Sequence, residues 1–187
     1  GQIQGFVDVP FDHLTALPVF VDYLAKTMEG PTTIVSPDSG GVKRAARYAR
    51  HLDAAVAFID KRRSTDVRNR SESVEVVGDI NGRHCIVVDD IVDTAGSAVG
   101  AANLLQQRGA LSIRLAATHG VLSDPAADRL KNSAFSEIVI SNTLPVPDDA
   151  ADLQSLTVLS IGSVLAGAIN AIFTDASVRA IFKGENM

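Results

Sequence analysis

The chain has 187 residues, of which 46% are hydrophobic and 21% charged, with 17 basic against 22 acidic side chains, a net charge of −5, one cysteine and no tryptophan. That apolar fraction is too high for a disordered chain, and the length suffices for a full core. The lone Cys85 excludes a disulfide framework or a multi-cysteine metal site, and the acidic balance argues against a general nucleic-acid binder.

In chain order, Asp8 and Asp12 arrive where a secretory leader would need a basic and then an apolar stretch, so no leader is read there. Residues 32–36 form the first β-branched and aliphatic run, and further runs follow at 55–59, 85–88, 113–118 and 138–141. Most are continuously apolar, which predicts strands buried on both faces of a parallel sheet. Helical patterns lie between and after them at 42–51, 94–108, 125–131 and 161–173. The second carries apolar positions Val99, Ala102 and Leu105, and Gly109 stands where a helix stops. The last is too short for a bilayer span and contains Ser163 and Asn170, so it reads as a core or interface helix. Residues 60–73 stand apart, almost without apolar side chains, and predict a long mobile loop of functional use. Strands alternating with helices predict an α/β fold, an open and mainly parallel sheet with helices on both faces. In such sheets ligands sit beyond the carboxyl ends of the strands.

The richest segment is Ile86-Val87-Val88-Asp89-Asp90-Ile91-Val92-Asp93-Thr94-Ala95-Gly96-Ser97. A buried strand delivers two adjacent carboxylates, and a short turn with Thr, Gly and Ser then opens a helix. Unpaired amides at a helix start, the positive end of its dipole and the hydroxyls of Thr94 and Ser97 suit a phosphate monoester. Asp89 or Asp90 can accept hydrogen bonds from sugar hydroxyls or hold a metal ion, so the segment reads as a grip for a phosphorylated sugar. An ordinary turn and N-cap does not require two adjacent acids followed by Thr-Ala-Gly-Ser.

A second strand-to-helix junction reads Ser36-Pro37-Asp38-Ser39-Gly40-Gly41-Val42-Lys43-Arg44. Paired glycines allow close backbone approach and successive amides can form an anion nest, although a plain turn has the same composition. Lys61-Arg62-Arg63 is either a solvated charge run or a cationic lip that closes over polyphosphate and stabilises charge developing in phosphoryl transfer. His119 either lines the pocket or is a hydrogen-bonded structural histidine. His13, His51 and His84 read as structural and Cys85 as a core residue.

Together these residues resemble the ribose-phosphate diphosphokinase family, also called phosphoribosyl pyrophosphate synthetases. Asp89 through Ser97 resembles the family's ribose 5-phosphate loop, Ser36-Pro37-Asp38-Ser39-Gly40-Gly41 its pyrophosphate loop, and Asp60-Lys61-Arg62-Arg63 the start of its catalytic flexible loop. The similarity continues through Gln2-Ile3-Gln4-Gly5-Phe6, residues 117–123 and Asn132-Ser133. The resemblance implies a phosphoribosyltransferase-like fold and transfer of the pyrophosphoryl group of ATP to the 1-hydroxyl of ribose 5-phosphate, with Mg2+, for nucleotide biosynthesis. It implies that Lys61 and Arg63 stabilise the transition state, with Arg63 also at the sugar phosphate. Asp89 and Asp90 would meet the ribose, and Asp93, Thr94, Ala95, Gly96 and Ser97 would cradle its 5-phosphate. Asp38, Ser39, Gly40 and Gly41 would form the pyrophosphate loop, with Asp38 helping to hold magnesium. It further implies a cytoplasmic homo-oligomer with no nucleic-acid or membrane partner. In the family, the segment matching Gln2 through Phe6 follows a magnesium-binding histidine and a whole amino-terminal domain. Residues 1–187 are therefore expected to be the carboxyl-terminal domain alone, with an incomplete ATP site. Phosphoribosyltransferases share the fold and first loop, and a regulatory subunit or associated protein would keep the fold without activity, against which Lys61 and Arg63 count. Asp93-Thr94-Ala95-Gly96 together with Lys61-Arg62-Arg63 favours the synthetase.

Overall fold

A computed structural model describes residues 3–63 and 72–182. The elements are α1 (Leu17–Thr27), β1 (Thr32–Ser36), α2 (Val42–Leu52), β2 (Ala55–Arg63), β3 (Glu72–Val77), β4 (His84–Val92) and α3 (Gly96–Gln107). They continue as β5 (Ser112–Gly120), α4 (Ala126–Lys131), β6 (Glu137–Ser141), α5 (Asp148–Ala151), β7 (Leu156–Leu159), α6 (Gly162–Phe173) and α7 (Val178–Ile181). The strands form one 7-stranded sheet in the order β3-β2-β1-β4-β5-β6-β7. Every neighbouring pair is parallel except β2 and β3.

The continuously apolar strand runs are explained by helices on both faces. Successive side chains point to opposite faces. Ile34, Ile86, Ala116 and Val139 pack with Phe20 and Leu24 of α1 and Ala45 and Tyr48 of α2 on one side. Val35, Val87, Leu115 and Ile138 pack with Ala98, Ala102 and Leu105 of α3 and Leu130 of α4 on the other. Each fully buried Leu, Ile or Phe contributes on the order of 1.5–3 kcal/mol. Phe20 and Tyr48 meet edge to face with centroids 6.4 Å apart. Cys85 is completely buried in β4, as a core residue, and burial pushes its thiol up to about 11 against the opposing pull of Arg83. A smaller cluster joins Val164, Ala168 and Ala171 of α6 to Val178 and Phe182, with Leu14 and Val19 packed against it. Among the described residues no helix is long and apolar enough to cross a membrane.

Two expectations are corrected. Residues 60–73 are not one loop, because β2 continues to Arg63 and β3 begins at Glu72, with Asp60 opposite Glu75 and Arg63 opposite Glu72. An edge ribbon is held by backbone hydrogen bonds and tolerates charged side chains, so it needs no apolar period. Helix α3 starts at Gly96 rather than Thr94, because Ala95 adopts a left-handed conformation with φ 59° that interrupts the helical path. Elements not anticipated include α1, whose apolar positions Leu17, Phe20 and Leu24 face the core, and the half-exposed edge strand β7.

Candidate functional site

Strand order reverses between β1 and β4, since the chain leaves β1 toward β2 on one side and β4 toward β5 on the other. The following helices, α2 and α3, lie in clusters on opposite faces. A crevice opens at such a switch point, beyond the carboxyl ends of the two strands. The two junctions singled out in the sequence flank it.

On β4, Asp89 is half-buried and Asp90 exposed, and Asp89 lies in register with Ala117 of β5. The amide of Asp90 donates to Asp89 Oδ1 at 2.9 Å and that of Ile91 to Asp90 Oδ1 at 3.0 Å. Asp93 and Thr94 are exposed in the turn, and Ala95 precedes α3 without a side-chain cap. The first amides of α3 therefore receive no side-chain cap from Ala95, and the first turn of a helix leaves its amides without intrahelical acceptors. Free amides at the positive end of a helix form an anion-binding surface. Arg129 of α4 braces this turn by donating from Nη1 to the Thr94 carbonyl at 2.9 Å. The same atom lies 3.4 Å from where a Cβ on Gly96 would stand, so the bare glycine lets the guanidinium approach.

The β1–α2 turn is ordered by short local bonds. Buried Ser36 donates from Oγ to the Asp38 carbonyl at 2.7 Å, and the Gly41 amide donates to Asp38 Oδ1 at 2.9 Å. A Cβ on Gly41 would sit 2.5 Å from Ser36 Oγ, so glycine is required by space. Asp38, Ser39 and Gly40 are exposed and Gly41 is buried beneath them. Helix α2 also lacks a side-chain cap at its start.

The two turns are joined by a residue the sequence reading did not select. Arg44, in the first turn of α2, donates from Nη1 to Asp89 Oδ1 at 2.9 Å and from Nη2 to Asp90 Oδ2 at 2.6 Å. One planar guanidinium thus spans both carboxylates, a fork geometry that lysine cannot reproduce. Burial pushes the Asp89 carboxyl up to about 6; the Asp90 amide lowers it, the Asp90 carboxyl raises it and Arg44 lowers it.

Beside Asp90 and Arg44 lies a cavity of about 440 Å³, whose walls include His13, Thr15, Lys43, Arg47 and His119. His119 meets both of its expectations: it lines this cavity, and its Nδ1 lies 2.8 Å from Thr143 Oγ1. His84 is structural, with Nδ1 2.7 Å from Ser112 Oγ. His13, read as structural, is among the residues that line this cavity. Lys61 and Arg63 contribute backbone to β2, while their side chains, and residues 64–71 beyond them, lie outside the described residues. Arg44 carried one weak local signal, the basic pair Lys43-Arg44 one residue after Gly40-Gly41. Arg129 carried none, because its partner is Thr94 on a different element.

A family model described as the phosphoribosyl synthetase-associated domain matches residues 64–183. The chain belongs to that family. Ribose-phosphate pyrophosphokinase of Streptomyces avermitilis is 50% identical to this phosphoribosyl synthetase-associated domain over 182 residues, 97% of this chain and 56% of the relative. The crystal structure of phosphoribosylpyrophosphate synthetase from Mycobacterium smegmatis matches with a TM-score of 0.84 at 43% identity, over 94% of this chain and 56% of that one. A crystal structure of adenine phosphoribosyltransferase matches with a TM-score of 0.50 at 20% identity, over 66% of this chain and 76% of that one, a likeness of fold alone. The phosphoribosyltransferase-like architecture expected from the sequence is therefore present, and the chain spans about half the length of the curated relatives it matches.

Proposed function

We propose that this domain is the carboxyl-terminal part of a ribose-phosphate pyrophosphokinase, which moves the pyrophosphoryl group of ATP to the 1-hydroxyl of ribose 5-phosphate. The observation that carries the reading is the pair of uncapped strand-to-helix turns on neighbouring strands, one of them bearing Asp89 and Asp90. Asp89 and Asp90 accept hydrogen bonds from the ribose hydroxyls, while Asp93, Thr94, Ala95, Gly96 and Ser97 cradle the 5-phosphate. This fixes the anomeric hydroxyl toward the β1–α2 turn, where Asp38, Ser39, Gly40 and Gly41 hold the pyrophosphoryl group. Phosphoryl-type transfer needs positioning and charge stabilisation more than covalent chemistry. Lys61 and Arg63 supply that stabilisation, with Arg63 also near the sugar phosphate.

Magnesium binds through one or two carboxylates together with water and substrate phosphates. The donor set here fits that habit, since Asp38 presents a single exposed carboxylate beside the anion turn and no group of three His, Cys, Asp or Glu side chains comes together among the described residues. Asp38 would hold the ion, which when bound offsets charge on the polyphosphate. The greater length of the curated relatives supports a missing amino-terminal domain that completes the ATP site. A cytoplasmic homo-oligomer acting in nucleotide biosynthesis is part of the same proposal.

Isothermal titration of the 187-residue chain with ribose 5-phosphate tests it. The parent binds, while Asp89→Ala and Thr94→Ala each weaken binding at least tenfold, the loss of one charge-assisted or well-placed hydrogen bond. A folded parent that does not bind, or two variants that bind like it, overturns the reading.

A further inference from the structure

We propose that Arg44 couples the two turns: ribose 5-phosphate draws its guanidinium off Asp89 and Asp90, and the freed cation moves onto phosphate at the β1–α2 turn. The inference rests on the reading of Asp89 and Asp90 as the sugar site. It starts from occupancy. Asp89 Oδ1 already accepts from the Asp90 amide and from Arg44, which uses both lone pairs of that oxygen, and Asp90 Oδ2 is held by Arg44 at 2.6 Å. A vicinal diol aimed at Asp89 Oδ1 and Asp90 Oδ2 competes with the guanidinium for those two acceptors.

The place to which Arg44 can move is equally defined. Its backbone sits in the first turn of α2, directly after the β1–α2 turn. Its Nη1 lies only 3.4 Å from the position of a Cβ on Gly41, so the guanidinium already rests against the anion turn. The side chain is about one-third exposed. While Arg44 is bound to two carboxylates its charge is neutralised and offers little to a second anion. Once the sugar hydroxyls take those oxygens, a full positive charge faces the turn that holds pyrophosphate. Binding at one turn then strengthens binding at the other, and linkage requires the effect to be reciprocal.

The test is titration of the 187-residue chain with inorganic pyrophosphate and magnesium, with and without saturating ribose 5-phosphate. In the parent, ribose 5-phosphate tightens pyrophosphate about tenfold, within the usual range for coupled sites. In Arg44→Met the two ligands bind independently, with less than a twofold effect of either on the other. Arg44→Lys keeps the charge without the fork and retains part of the coupling. If Arg44→Met fails to fold by circular dichroism, Asp90→Asn, which removes one of the two anchors, loses coupling in its place. Equal coupling in the parent and the folded variants overturns the proposal, as does a parent that binds ribose 5-phosphate with no effect on pyrophosphate. A parent that binds no ribose 5-phosphate defeats the functional reading itself, and that result appears before any Arg44 variant is made.

Discussion

At Asp89 the fold keeps a carboxylate partly away from water and beside a second acid, so its protonation is pushed up to about 6 from an ordinary 3.8. Burial is the main cause, with Arg44 pulling the other way. The folded state therefore binds this proton more tightly than the unfolded chain. The resulting stabilisation is complete below the unfolded value and is lost as the pH rises through about 6. Asp89→Asn has no such proton. Chemical denaturation at pH 4 and at pH 7 is expected to show the parent losing ground to Asp89→Asn at the higher pH. An unchanged difference between the two proteins would return Asp89 to ordinary carboxylate behaviour. The same carboxylate that folding disfavours near neutrality is the one proposed to accept sugar hydroxyls, so on that reading stability is conceded where the site needs charge.

Among the elements, the β2–β3 ribbon depends on a close approach that only glycine allows. Gly78, directly after β3, has φ +120°, and a Cβ there would stand 2.7 Å from the Val56 carbonyl oxygen and 2.7 Å from Ala57 Cβ. Gly78→Ala is expected to cost about 1–3 kcal/mol through backbone strain, read as a lower urea midpoint, and an unaltered midpoint would show that the ribbon shifts without cost. This ribbon is also where sequence reading fell short. The buried strands announced themselves where a strand covered on both faces is apolar over a continuous run, as in β4 with Cys85, Ile86, Val87 and Val88 all buried. Residues 60–63 pair through their backbones at the sheet edge and left no such trace in side-chain pattern. Both strand-to-helix turns were legible, since each is a contiguous string whose glycines and hydroxyls serve the residues beside them. The Arg44 and Arg129 contacts were not, because each joins elements far apart in the chain and no local period records the pairing.

Across the molecule as a whole, a buried ion-pair network lies apart from the candidate site. At the opposite end of the sheet from the crevice, Arg114 near the start of β5 pairs with Glu137 at the start of β6, and both side chains are largely buried. Tyr23 of α1 and Thr157 of β7 donate to the same carboxylate, and Arg114 Nη2 donates to Thr27 Oγ1 at 2.9 Å. The network ties α1 to three strands across the sheet. Removing one partner of a buried pair leaves the other uncompensated, so Glu137→Ala is expected to lower stability by about 3 kcal/mol. Ribose 5-phosphate affinity of the folded fraction should stay within twofold of the parent. Equilibrium denaturation and titration on the same preparation check both halves, and a stability unchanged by the substitution, or a loss of affinity without it, would break the separation.

The placement of the two anion turns on adjacent strands, β1 and β4, also makes the sheet a ruler. Neighbouring strands are held about 4.8 Å apart by the backbone ladder, so the spacing of the strand ends from which the two turns leave is set by the pitch of a repeating lattice and not by any side chain. On the proposed reading, substitutions within either turn alter how firmly an end of the substrate is held. They leave the gauge untouched, and a substrate lengthened between its phosphate and its reacting hydroxyl would on that reading overshoot the second turn with every contact at the first intact.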